Sequence, residues 1–240
     1  MYSIELLHTS GGYRFNYKSG DDEKIITWAG TDTAMNIPDK GLALRMKESL
    51  EKYPMYFDDN DNLIIPSPLY FLMSVAHTGS SSLSSQIENH ALFWSQDSFF
   101  HRAEDERILA AQQGVVRPVE QYLLEKGFRT TILPNADYSS WEDLSEEDLL
   151  PEEDWKKLQS LFDSLSEKEK IAVLYLAFNS PHVVAAIAWV NNAFPNEESF
   201  AHYSLVMEGI ISPHTMHPAD FEREVRLRED MFAEVRFFMG

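Results

Sequence analysis

Eight histidines invite a metal hypothesis, and only His214 and His217, in the run HTMH, stand close together. Two imidazoles at that spacing could share a divalent cation, but a zinc site needs a third and a fourth ligand. The chain has no cysteine, which excludes thiolate catalysis, disulfides and cysteine-ligated zinc or iron–sulfur sites. The pair lies in the proline-flanked loop SPHTMHP, so solvent-facing histidines are the expectation and no metal is assigned. The hydroxyl-rich run HTGSSSLSS lacks the glycines two positions either side of a serine that mark a nucleophile elbow. No glycine-rich phosphate loop or dinucleotide fingerprint is present. Carboxylates are abundant, but Glu104, Glu106, Asp220 and Glu222 all fall in expected first turns of helices. There an acid offsets the positive end of the helix dipole. These residues do not require catalysis, and no cofactor is implied.

The elements that would position such groups are of two kinds. Residues 2–38 alternate: YRFNY puts Tyr13, Phe15 and Tyr17 on one strand face, KIITWAG reads as a second strand and TAMNIP as a third. A helix follows over DKGLALRMKESLEKY, with Leu42, Met46 and Leu50 in its stripe and Pro54 beyond its end. FDDNDNLIIPSP reads as a loop whose acidic run is a polar turn and not a calcium loop. From Pro68 the periodicity is helical. Ser166 and Glu169 form a capping box; Ser180-Pro181 reads as an N-cap with Pro in the first helical position; Asn196 caps a further helix; Pro218, Asp220 and Glu222 open a long final one. The expected class is α+β with segregated elements: a small α+β domain over 1–65 and a helical domain over 66–240.

Lysine and arginine number 20 against 39 acids, for a net charge of -19 at pH 7. Such a field repels phosphate backbones and anionic lipid, which disfavours nucleic-acid and membrane-surface binding and suits a basic partner. The longest apolar run, IAVLYLAFNSPHVVAAIAWV, is broken by Asn179, Ser180 and Pro181 and is no membrane span. The N-terminus lacks the regions of a signal peptide, so a cytoplasmic location is expected, or the mitochondrial matrix for an organellar mature form.

One stretch, HRAEDERILAAQQGVVRPVEQYLLEKG over 101–127, is not an ordinary helix. Ile108, Leu109, Val115, Val116, Val119, Tyr122 and Leu123 make an apolar stripe, and Gln113 falls on it, four after Leu109 and three before Val116. A buried amide without partners would cost about 1–3 kcal/mol. Pro118 can give no hydrogen bond to the carbonyl of Gly114, so a helix, a kink and a second helix beginning near Pro118 are expected.

This stretch resembles a signature of the assembly chaperone of the F-one catalytic head of ATP synthase, of the form YRAExPxxLxxxQxxxWxPxxxW. Arg102, Ala103 and Glu104 match its start; Leu109, Gln113 and Pro118 stand for its leucine, glutamine and proline; Tyr122 takes the place of its last tryptophan. His101 stands where the family has tyrosine, and Val116 where it has tryptophan. The likeness extends over nearly the whole chain. NLIIPSPLYFLMSVAHT is similar to the family's I-P-x-x-M-P-L-T passage. Ser180 and Glu197-Glu198 fall at two family helix starts. HPADFEREVR places Asp220 and Glu222 on the acidic positions of the family's WGxDxEAxxRR, with His217-Pro218 replacing Trp-Gly.

The resemblance implies a non-enzymatic, ATP-independent chaperone, here a monomer, that binds the free alpha subunit of the catalytic head until the beta subunit replaces it. It implies partner contacts at Glu222, with Asp220, and at Glu208, which lies near a family acidic position. Arg102, Glu104, Leu109, Gln113, Pro118, Tyr122 and Ser180 would be architectural. The alternative is an acidic adaptor or inhibitor of a different basic protein.

Overall fold

The computed structural model describes residues 2–20, 22–59, 62–79, 90–103, 105–129, 132–133, 149–179, 182–208 and 217–240. They fall into two compact units, 1–80 and 81–240. Along the chain the expected class is present: a small antiparallel sheet comes first and helices follow.

In the first unit β2 (Gly12–Ser19) is the central strand. β1 (Tyr2–Thr9) pairs along its whole length, β3 (Asp22–Ile25) pairs with its second half and β4 (Asn36–Ile37) with its start, all antiparallel. Gly12 is needed where β1 turns into β2: its φ is +132°, and a Cβ there would lie 2.6 Å from the Ile37 carbonyl oxygen. Ile4, Phe15, Tyr17, Ile26, Met35 and Ile37 are buried.

Helix α1 (Lys40–Lys52) starts where Asp39 accepts a hydrogen bond from the Leu42 amide at 2.7 Å, and it buries Ala43, Met46 and Leu50. The segment read as a loop contains a short hairpin, β5 (Tyr56–Phe57) with β6 (Leu63–Ile64), too brief to show strand periodicity. Helix α2 (Pro68–Thr78) is capped by Ser67, and the Ser67 and Ser49 hydroxyls meet at 2.6 Å. That contact groups α2 with α1, so the compact units divide after 80, whereas the sequence reading placed the boundary at 65.

The second unit holds α3 (His90–Ser95), a 3-10 turn (Ser98–Phe100), α4 (Glu106–Val115), α5 (Arg117–Glu125), α6 (Glu152–Asp163), α7 (Glu167–Asn179), α8 (Val183–Val190), α9 (Glu197–Met207) and α10 (Pro218–Met239). Its core is aromatic: Trp189 stacks on Phe200, and Phe232 and Phe194 pack on Phe200 in turn. Burying one such ring contributes about 1.5–3 kcal/mol. The capping box at α7 is present, Ser166 N giving to Glu169 at 2.8 Å and Glu169 N to the Ser166 hydroxyl at 3.4 Å. Asn196 caps α9 by accepting from Ser199 N at 2.8 Å. Helix α8 begins at Val183 with His182 in the cap position, two residues later than a Ser180 cap requires. Ser180 itself lies outside the described residues.

Candidate functional site

The kinked stretch forms as two helices that share Val116, which closes α4 through its amide to Gln112 O at 3.1 Å and opens α5 by accepting from Glu120 N at 3.1 Å. Pro118 lies in the first turn of α5, where an N–H has no partner to lose. The buried glutamine is Gln112, whose side-chain oxygen accepts from Ala103 N at 2.9 Å; Gln113 is exposed. The assignment of Gln113 to the stripe is therefore corrected by one residue. Counting back from Pro118 through Val116 at the chaperone spacing also gives 112, so the sequence carries one residue fewer between Glu104 and the glutamine. Arg102 is largely buried: Nη1 donates to the carbonyls of Phe99 at 2.5 Å and His101 at 2.9 Å, and the guanidinium lies over the Phe99 ring. Burial lowers its pKa. Tyr122 is buried and Leu109 half-buried, while Glu104 lies outside the described residues.

Behind this stretch lies a polar cluster that sequence reading missed. Asp97, fully buried, accepts from Phe99 N at 2.8 Å and from Val184 N at 2.6 Å, capping α8 from a distance. Burial raises its carboxyl to about 6, against the pull of His182 and three backbone amides. His182 is fully buried between the Ser98 hydroxyl, 2.5 Å from Nδ1, and the Ser204 carbonyl, 3.1 Å from Nε2, with Glu208 Oε1 at 3.4 Å. Nε2 faces two acceptors and so donates, while Nδ1 meets a hydroxyl that can serve as donor or acceptor.

Hydroxyl, imidazole and carboxylate in a row are the parts of a hydrolase triad, but this row is built as architecture. The imidazole is buried, the Phe99 amide that could face an oxyanion is held by Asp97, and the Glu208 carboxylate is occupied by Arg228. Arg228 binds it through both arms, Nη1 to Oε1 at 2.5 Å and Nη2 to Oε2 at 2.6 Å, and also reaches the Ser204 hydroxyl. For Glu208, burial pushes the pKa up, and hydrogen bonds from His182 and Arg228 with their charges more than offset it, to about 2.

Asp220 and Glu222 lie on α10. Asp220 pairs with Arg223 at 3.2 Å in the first turn; Glu222 is 69% exposed and 3.9 Å from Arg226. Glu222 lines a hollow of about 610 Å³ with Glu198, His202, Pro218, Phe221, Val225, Arg226 and Glu229. His202 meets Phe221 edge-on at 4.9 Å. A second hollow of about 440 Å³ runs past Gly114, Val115, Pro118, Phe194 and Pro195 to the same Glu198 and His202. Sequence signals for this surface existed in the spacing of 218, 221, 222, 225, 226 and 229, one face of a helix, and of 198 and 202. What was missing was that the two faces meet.

His217 caps α10 by accepting from Ala219 N at 3.3 Å, and its partner in the HTMH run, His214, lies outside the described residues. Among the described residues no group of three potential metal ligands occurs, and no helix is long and apolar enough to cross a membrane.

No family model matches the sequence, and no curated protein does. Solved structures match over nearly the full chain. Atp12 from Paracoccus denitrificans is 14% identical with a TM-score of 0.53, covering 98% of this chain and 94% of that one. An aspartate-to-lysine mutant of P. denitrificans Atp12p matches at 16% identity with the same TM-score and coverage. The Atu1473 protein of Agrobacterium tumefaciens, assigned as a chaperone, is 17% identical with a TM-score of 0.59, covering 99% of this chain and 83% of that one. The fold of this chain is the fold of Atp12.

Proposed function

We propose that this chain is an assembly chaperone that binds the unassembled alpha subunit of the ATP synthase catalytic head and holds it for the beta subunit. The observation that carries the reading is the Atp12 fold over 98% of a chain whose motifs independently resemble those of the alpha-subunit chaperones. The protein works by binding and release rather than by catalysis, as a monomer. A carrier of this kind covers subunit surface that would otherwise aggregate, and must then let go, which suits a modest, partly polar contact. Glu222 on α10 meets that need, since it is exposed and only loosely paired within the chain, and half-buried Asp220, paired with Arg223, lies beside it. Glu208, whose carboxylate is occupied by Arg228, moves from the partner contact to the architecture.

The test is co-purification from the native host with unassembled subunits accumulating, wild type beside Glu222→Lys, with the captured protein identified by mass spectrometry. Alpha subunit captured by wild type and lost with the folded variant is the expected result. Alpha retained by both would remove Glu222 from the contact. Wild type that never captures alpha would overturn the reading, and a different basic protein in its place would favour an acidic adaptor or inhibitor.

A further inference from the structure

The two hollows beside α9 share Glu198 and His202, so they form one continuous surface with unlike ends. One end is apolar, made by Val115, Pro118, Phe194 and Pro195 where α4 meets α5. The other carries three carboxylates, Glu198, Glu222 and Glu229, against one guanidinium, Arg226. The Arg226–Glu222 pair is 3.9 Å long between side chains 78% and 69% exposed. Such a pair contributes little, so an incoming cation can displace Arg226 without loss of fold. Glu222 and Glu229 are seven residues apart on α10, two turns and about 10 Å. Cations seven positions apart on a helix lying along α10 match that spacing. The chain as a whole carries -19, which adds long-range attraction for a basic segment and repels a second copy of itself.

Taking the chaperone reading as given, we propose that this groove docks one basic amphipathic helix of the partner. An apolar side chain of that helix enters the hollow at the α4–α5 junction, and lysines or arginines two turns apart meet Glu222 and Glu229. Glu198 and His202 lie between, and set the direction in which the segment lies. Polarity, not shape alone, then selects the segment: the same helix reversed would put its cations against prolines and Phe194.

The experiment is fluorescence anisotropy of a labelled, helix-forming peptide with two arginines seven positions apart and a phenylalanine beyond one of them, titrated with the full chain. Two matched peptides carry glutamate for arginine or serine for phenylalanine. The chain variants are Glu222→Lys with Glu229→Lys, and Gly114→Leu. Gly114 lines the apolar hollow and a Cβ there meets nothing within 4 Å, so leucine is the substitution chosen to occupy it. Glu153→Lys on α6 is the off-groove control.

The expected results are saturable binding of the parent peptide, at least tenfold weakening by glutamate, and reversal of that preference in the double lysine variant. Gly114→Leu should erase the difference between the phenylalanine and serine peptides. Equal binding of arginine and glutamate peptides would overturn the proposal, as would equal weakening by Glu153→Lys. If the peptide fails to bind while the chain still captures unassembled alpha subunit, the groove proposal falls alone; if neither is captured, the chaperone reading falls and the groove with it.

Discussion

Replacing Arg228 with methionine removes a charge and keeps the stem that packs beside α9. Glu208 is then left with its side chain only 10% exposed and with His182 and the Ser204 hydroxyl, 3.3 Å from Oε1, as its remaining partners. The fall of the Glu208 pKa from 4.5 to about 2 corresponds to about 3 kcal/mol at 1.36 kcal/mol per pKa unit. His182 supplies part of the shift and water reaches the outer edge of the pair, which reduces the share of Arg228 to roughly 2 kcal/mol. Loss of both arms of a mostly buried bidentate pair adds the cost of an unpaired carboxylate, so Arg228→Met is expected to lose about 2–4 kcal/mol at pH 7. The sign of the pH dependence follows from the direction of the shift. A carboxylate whose folded pKa lies below its unfolded value stabilises fully above about pH 5, and that stabilisation is lost as pH falls through 4.5 towards 2. The gap between wild type and Arg228→Met should therefore narrow as pH falls from 7 to 3.5. Urea unfolding followed by far-UV circular dichroism at pH 7, 5 and 3.5 measures it. The double variant with Glu208→Gln, which removes the stranded charge, should recover part of the loss. A cost below about 0.5 kcal/mol at pH 7, typical of an exposed pair, or a gap that does not change with pH, would refute the reasoning.

Asp97→Asn tests the opposite shift: a folded carboxyl raised by burial to about 6 favours the protonated form. Its contribution is present below about pH 4 and is lost as pH rises through 6, at up to about 1.4 kcal/mol per pH unit. The variant should flatten stability against pH between 4 and 6, and an unaltered slope would count against a buried acid there. Gln112→Leu strands the Ala103 amide and should cost about 1–3 kcal/mol, while Gln113→Ala should stay within about 0.5 kcal/mol; equal losses in chemical unfolding would undo the one-residue correction. Asp220→Ala removes an acid from the first turn of α10 and should cost about 0.3–1 kcal/mol. Glu222→Lys should leave the melting temperature within a few degrees while abolishing partner capture, and a large fall in stability would make Glu222 structural.

Signals that were local could be read from the sequence, and those that depended on distant partners could not. Asp39, the box of Ser166 and Glu169, and Asn196 each act within four residues of themselves, so their helices could be placed by inspection. Asp97 caps a helix 87 residues away, and nothing in the run SQDSFF marks an aspartate as buried. The expected cap at Ser180 was the local alternative to that bond, and α8 starts beyond it. Gln112 and Gln113 are neighbours on a helix that ends three residues later. A stripe drawn through α4 and α5 as one phase cannot tell them apart, and only the bond to Ala103 does. The groove was legible as two faces, on α9 and α10, but not as one surface, because their meeting depends on Arg228 and Arg236.

Those same arginines explain why an acidic chain can offer acids to a partner without losing its own packing. The carboxylates divide by what holds them. Asp97, Glu208 and Glu197 serve inward contacts, with two backbone amides, the Arg228 fork and Arg236. Arg236 also lies over the Trp189 ring at 4.0 Å, so α10 is tied to the core at two levels eight residues apart. Fixing α10 at 228 and 236 leaves Glu222, on its earlier turns, and Glu229, just past the first tie, free of any structural duty that a loose surface pair could not meet. Reversing charge at Glu208 and at Glu222 would then abolish capture for different reasons, the first by loosening α9 from α10 and the second by refusing the partner on an intact fold. A stabilising second substitution elsewhere in the helical unit should rescue capture by the Glu208 variant and do nothing for Glu222→Lys. That contrast separates an acid that builds the groove from an acid that reads what enters it.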